Sequence, residues 1–79
     1  MQVDVRFFAA SRELVGLERR IEVLPEGATL QTLQDRLYEA YPALPSLRVR
    51  FAVNLTYASG PVALHDGDVV ACIPPVGGG

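Results

Sequence analysis

Thr29-Leu30-Gln31-Thr32-Leu33-Gln34-Asp35-Arg36-Leu37-Tyr38-Glu39-Ala40-Tyr41-Pro42 is the stretch that decides the architecture of this 79-residue chain. Leu30, Leu33, Leu37 and then Ala40 or Tyr41 recur at helical spacing, while Gln31, Gln34, Asp35, Arg36 and Glu39 take the other side. Thr29 can cap the first turn and Pro42 cannot continue the last, so the spacing predicts a helix over 30–41 with one apolar stripe for a sheet. Upstream, Val3, Val5 and Phe7 alternate with Asp4, Arg6 and Phe8, the period-2 signature of a strand, and Phe8 falls on the face opposite the first three. Residues 20–24 predict a second strand, with Ile21 and Val23 on the core side and Arg20 and Glu22 outside, stopped by Pro25-Glu26-Gly27. Between these strands Ser11 caps a single helical turn over 12–15, and Gly16 ends it.

Downstream, the Pro-rich loop Pro42-Ala43-Leu44-Pro45 leads to a third strand in which Val49, Phe51 and Val53 alternate with Arg48, Arg50 and Ala52. Residues 54–60 form a turn region with a short strand. His65-Asp66-Gly67-Asp68 is a strong turn signal, and residues 69–73 form the last strand. Strands at both ends around one main helix predict an α+β class: a β-grasp, or ubiquitin-like, mixed sheet with the helix packed on one face. A ferredoxin-like order needs a second helix, which residues 55–79 do not supply. The expected core is Val5, Phe7, Ile21, Val23, Leu33, Leu37, Phe51, Val53 and Val69. Residues 1–73 would form the domain and residues 74–79 a flexible tail.

At 49% hydrophobic and 20% charged residues, the chain has the composition of one soluble domain. A chain of this length hides only about 60–65% of its unfolded surface. Most large enzyme folds are excluded, and chemistry is expected at the surface, at a terminus or in a pocket shared with a partner. Seven Arg, no Lys and nine acids give a formal net charge of −2. No Arg follows Arg50, so the C-terminal end is expected to be mildly acidic, to avoid nucleic acid and to favour a partner with a basic surface. No apolar run approaches 18 residues and no basic segment precedes an apolar one near Met1, which predicts neither membrane insertion nor secretion; the cytoplasm is the expected location.

The usual catalytic constellations are missing. His65 is the only histidine and sits in a turn; Cys72 is the only cysteine and sits in an apolar strand, where a thiol is usually a small buried hydrophobe. Asp66 and Asp68 flank a glycine as turn formers do, and no metal site is expected. The unusual feature is the end: Ile73-Pro74-Pro75-Val76-Gly77-Gly78-Gly79. Two prolines stiffen the exit from the last strand, and three glycines follow without side chains. Extended, the glycines reach about 10 Å and the six-residue tail about 20 Å. Such a peptide fits a channel too narrow for any other sequence and brings a carboxylate to its far end.

The closing run from Asp66-Gly67-Asp68-Val69-Val70 to Pro74-Pro75-Val76-Gly77-Gly78-Gly79 resembles the MoaD family of sulfur carriers, the small subunits of molybdopterin synthase. Phe7-Phe8-Ala9, Arg12-Glu13-Leu14-Val15-Gly16 and Ala52-Val53-Asn54 match that family in order and spacing. The resemblance spans essentially the whole chain. An aromatic often precedes the two prolines in the family, where this chain has Ile73, and Gly77 occupies a variable position before the matching pair Gly78-Gly79.

The resemblance implies a carrier that is not catalytic alone but is the sulfur-donating subunit of a transferase. Gly79 would be adenylated with ATP by an E1-like activating enzyme and converted to a thiocarboxylate. The tail of Pro74, Pro75, Val76, Gly77 and Gly78 would then enter the large synthase subunit, in a heterotetramer. There two sulfurs from successive carriers convert cyclic pyranopterin monophosphate into the molybdopterin dithiolene. No cofactor or metal would be bound by the carrier itself. A sulfur carrier for thiamine thiazole or tRNA thiolation, a ubiquitin-like protein modifier, and a plain interaction domain with a disordered tail remain open at this level. Phe8, Tyr57 and Ile73 lack core roles and match family positions that face the large subunit, so they are expected to form one partner-binding patch at the root of the tail.

Overall fold

Val3, Val5 and Phe7 are buried along one face of β1 (Gln2–Phe7). The computed structural model describes residues 1–75. After β1 come α1 (Ala9–Val15), β2 (Arg19–Val23), α2 (Leu30–Ala40), a 3-10 turn (Leu44–Leu47), β3 (Arg50–Val53), β4 (Thr56–Ala58) and β5 (Val69–Ile73). The strands form one mixed sheet in the order β2-β1-β5-β3-β4. The first and last strands lie side by side at its centre and run parallel, while every other pairing is antiparallel. Parallel neighbours need a long crossover, and the chain between β1 and β5 carries α2 over one face. Leu30, Leu33 and Leu37 of α2 meet Val3, Val5, Phe7, Phe51, Val70 and Cys72 of the sheet, and Leu24, Ala28, Leu44 and Leu64 close the margins. This is the β-grasp arrangement.

The ends of α2 follow from local chemistry. The Thr29 hydroxyl accepts from the Thr32 N–H, and the Thr32 hydroxyl accepts from the Thr29 N–H, each at 3.3 Å. The helix stops at Ala40, one residue before the expected end, because Tyr41 precedes proline and leaves the helical region with φ −130° and ψ 80°. The loop expected at residues 42–45 tightens into a 3-10 turn that drives Leu44 into the core.

Three expectations are corrected. Ile21 and Val23 are not core residues: they are 45% and 64% exposed, and Glu22 is buried instead. The register puts Glu22 opposite Val3 and Arg20 opposite Val5, so the charged residues of this edge strand lie on the helix side. There the Arg20 guanidinium pairs with Glu22 at 2.7 Å and donates to the Tyr41 hydroxyl at 2.7 Å. At a sheet edge, long polar side chains cover apolar surface with their stems and keep their charged ends near water. Val69 points to the uncovered face, because Val70 and Cys72 are the buried residues of β5; Val53 is half-buried and packs against the core. Ser11 does not cap α1. Phe8 is the residue that precedes it, and Ser11, in its first turn, is fully buried.

Candidate functional site

The sheet has one covered face and one open face, and the register fixes what the open face displays. Arg6 pairs with Ala71, Ala71 with Ala52 and Ala52 with Tyr57, a row across four strands. Arg50 lies opposite Ile73 in the next row, toward the tail. Phe8 continues β1 with an extended backbone, φ −123° and ψ 151°. Its N–H donates to the Cys72 carbonyl at 3.2 Å and lies 3.1 Å from the Ser11 hydroxyl. That hydroxyl in turn donates to the Phe8 carbonyl at 2.6 Å and lies 3.2 Å from the Cys72 carbonyl. Ser11 thus joins the end of β1, the start of α1 and the end of β5, and the alternation is held long enough to put Phe8 on the open face.

The result is a shallow apolar groove lined by Phe8, Ala52, Leu55, Tyr57, Ala71 and Ile73. The two alanines form its floor, and the larger side chains stand around them. Phe8 is 49% and Tyr57 54% exposed, and the Tyr57 ring is held by the Arg50 guanidinium, whose carbon sits 4.1 Å from the ring centroid. The three residues singled out from the sequence, Phe8, Tyr57 and Ile73, are brought together here. Sequence reasoning missed Leu55 and the alanine floor. Ala71 and Ala52 were legible only as small strand residues until the register placed them side by side. Pro74, half-buried, and Pro75, exposed, leave the sheet from Ile73 at the end of this groove. Val76, Gly77, Gly78 and Gly79 lie outside the described residues.

The charge around the groove reverses the expectation from chain order. Asp66 and Asp68 precede β5 and therefore lie at the far end of the sheet, Asp68 about 16 Å from Ile73 at 3.3 Å per residue. The tail end of the sheet carries Arg50 beside Ile73, while Arg6, Arg12 and Arg19 line a small cleft next to Phe8. Arg6 and Arg19 share the Asp4 carboxylate at 3.0 and 2.9 Å. The hydrogen bond from Arg6 leads in holding that carboxyl below its ordinary range; burial opposes it, and Arg19 adds a second bond. Arg12 is paired with Glu18 in the same cleft at 3.2 Å, so three arginines against Asp4 and Glu18 leave a small positive surplus, to which Arg50 adds, and this rim suits an acidic surface.

His65 and Cys72 take structural places. His65 is exposed in the turn, where its backbone N–H donates to the Asp68 carboxylate at 2.8 Å. Cys72 is fully buried, and burial pushes its thiol up to about 11. Thiolate is the reactive form, so alkylation of native protein at pH 8 is expected to leave Cys72 unmodified, with rapid labelling only after denaturation, as intact mass would show. Among the described residues no group of three or more potential metal ligands occurs, and no helix is long and apolar enough to cross a membrane.

Residues 5–79 match the ThiS family. The chain belongs to that family. The molybdopterin synthase sulfur carrier subunit of Chlamydomonas reinhardtii is 41% identical to it, with all of both chains covered. Among solved structures, SAMP1 of Haloferax volcanii, a small archaeal modifier protein, superposes with a TM-score of 0.87 at 27% identity over the whole of both chains. Subunit 1 or 2 of the molybdopterin-converting factor of Helicobacter pylori, solved as a complex of the two, superposes with a TM-score of 0.74 at 30% identity, again over both whole chains. This ThiS-family chain thus shares its fold with SAMP1 and with a molybdopterin-converting factor subunit, and its full length with a molybdopterin synthase sulfur carrier subunit.

Proposed function

We propose that this chain is the sulfur carrier subunit of molybdopterin synthase, donating sulfur from a thiocarboxylate on Gly79 to cyclic pyranopterin monophosphate to form the molybdopterin dithiolene. The observation that carries the reading is the coincidence at Ile73: the residue that walls the apolar groove is also the one from which the Pro-Pro-Val-Gly-Gly-Gly tail departs. A partner that covers the groove therefore receives the tail. The full-length similarity to a molybdopterin synthase carrier supports the choice of acceptor. A carboxylate has a poor leaving group, so Gly79 would first be adenylated with ATP by an E1-like activating enzyme, releasing pyrophosphate; sulfide then displaces AMP and leaves an anionic, nucleophilic sulfur. The large subunit would contribute the substrate-handling groups and an acidic rim complementary to Arg6, Arg12, Arg19 and Arg50.

The direct test is intact mass after incubation with activating enzyme, ATP and a sulfur source. The expected product has one oxygen replaced by sulfur, and adding large subunit and pterin precursor should discharge it with formation of the dithiolene. A carrier that charges but transfers nothing to that pair overturns the assignment.

Docking gives a second expected result. Phe8 is half-exposed on the open face, and aromatic anchors at interfaces typically cost about 2 kcal/mol or more when truncated. Phe8→Ala is expected to weaken association with the large subunit at least tenfold by titration calorimetry while the melting temperature stays near wild type. Unchanged affinity would remove the groove from the interface and leave the tail chemistry untouched.

A further inference from the structure

Leu55 is the residue whose placement folding explains least. Its side chain is 99% exposed. It occupies the second position of the two-residue turn between β3 and β4, with φ +73° after Asn54 at +47°. Such a turn requires positive φ at both positions, and Asn-Gly is the pair that adopts it with least strain. Leucine at the glycine position strains the backbone and holds a large apolar side chain in water, with no burial within the domain to compensate. An outlier of this kind points outside the domain for its reason.

Its surroundings supply one. Leu55 stands between two hollows on the open face. The first is the groove of Phe8, Tyr57 and Ile73; the second is lined by Ala52, Asn54, Leu55, Val69 and Ala71 and extends away from the tail. Ala52, Leu55 and Ala71 belong to both. In the second hollow the one polar side chain is already engaged: Asn54 Oδ1 accepts from the Val69 N–H at 3.0 Å, and Asn54 Nδ2 donates to Asp68 at 2.9 Å. An incoming surface finds apolar contact there. Isolated exposed apolar residues need no explanation, but a contiguous set marks a contact surface.

We propose that Leu55 is the ridge between two apolar lobes of a single docking surface, and that the large synthase subunit seats one apolar projection on each side of it. The proposal rests on the function proposed above and takes its occupant from continuity, since the second lobe shares three residues with the lobe at the root of the tail. It widens the interface toward the acidic end of the sheet and gives this chain a contact residue on a turn.

The test separates fold from docking. Leu55→Gly relieves the turn, so its melting temperature is expected to equal or exceed that of the wild type, while affinity for the large subunit falls at least tenfold by titration calorimetry. Val69→Thr keeps the branched shape on β5 but places a hydroxyl in the second lobe, and is expected to weaken binding several-fold. Wild-type affinity in both variants overturns the proposal. So does a marked loss of stability in Leu55→Gly with Val69→Thr binding normally, which would make Leu55 a structural residue. Self-association of the free chain that Leu55→Gly abolishes, with binding to the large subunit unchanged, overturns it in favour of a second copy as occupant. Phe8→Ala decides the parent reading separately: if it alone weakens binding, the groove stands and the second lobe falls.

Discussion

Deletion of Gly79 is expected to abolish sulfur transfer while leaving the fold intact. The last strand ends at Ile73, Pro75 is exposed, and every residue of the described core lies at or before Cys72, so the described core contains nothing that the deletion takes away. It does remove the carboxylate at the position where activation is proposed. A genetically fused C-terminal extension should act like the deletion, because it turns that carboxylate into an amide. Replacing Gly78 by Trp should have nearly the same effect by steric block, since a tail without side chains suits a channel too narrow for a bulky residue. The measurement is dithiolene formation with activating enzyme, large subunit and precursor, alongside circular dichroism. Full activity from a carrier with a permanent extension would sink the role of Gly79.

The second large effect is on stability. Leu37 is fully buried on α2, and Phe51 is buried on β3 with the Tyr38 ring tilted against it at 6.5 Å between ring centroids. Truncating either to Ala removes transfer free energy and leaves a cavity, at a cost of about 2–5 kcal/mol. The whole domain holds only about 4–12 kcal/mol at 0.05–0.15 kcal/mol per residue, so these variants should unfold at much lower denaturant concentration. Ile21→Ala and Val23→Ala serve as the contrast. They have the same chemistry on the uncovered face of an edge strand and are expected to shift stability by about 0.5 kcal/mol or less. Equal losses at all four positions would contradict the register of β2.

The sequence by itself determined the elements and their order. The 3.6-residue stripe of Leu30, Leu33 and Leu37 specified α2, because a single unbroken period over three turns admits one reading. Pro42, Gly16 and Asp66-Gly67-Asp68 marked ends through backbone restrictions that act locally. Phe8 was legible as an outward residue for the same reason: alternation from Val3 to Phe7 left it no other side. The tail, too, was visible as composition, and the resemblance to sulfur carriers rested on contiguous motifs. Tertiary structure alone decided which side of an alternating strand is inside. In β2 the alternation Arg20-Ile21-Glu22-Val23 points Ile21 and Val23 inward, and pairing with Val3 and Val5 turned Glu22 under the helix layer instead. In β5 the run Val69-Val70-Ala71-Cys72-Ile73 is apolar throughout, so it carries no alternation, and its position between β1 and β3 chose Val70 and Cys72 for the core. The groove was equally beyond the sequence: Phe8, Ala52, Leu55, Tyr57, Ala71 and Ile73 come from three separate stretches, and sheet register joined them. The same register moved the acidic turn to the far end of the sheet from the tail and set four arginines at its root, because position along a chain does not order charges in space once two parallel strands bring its beginning and end together.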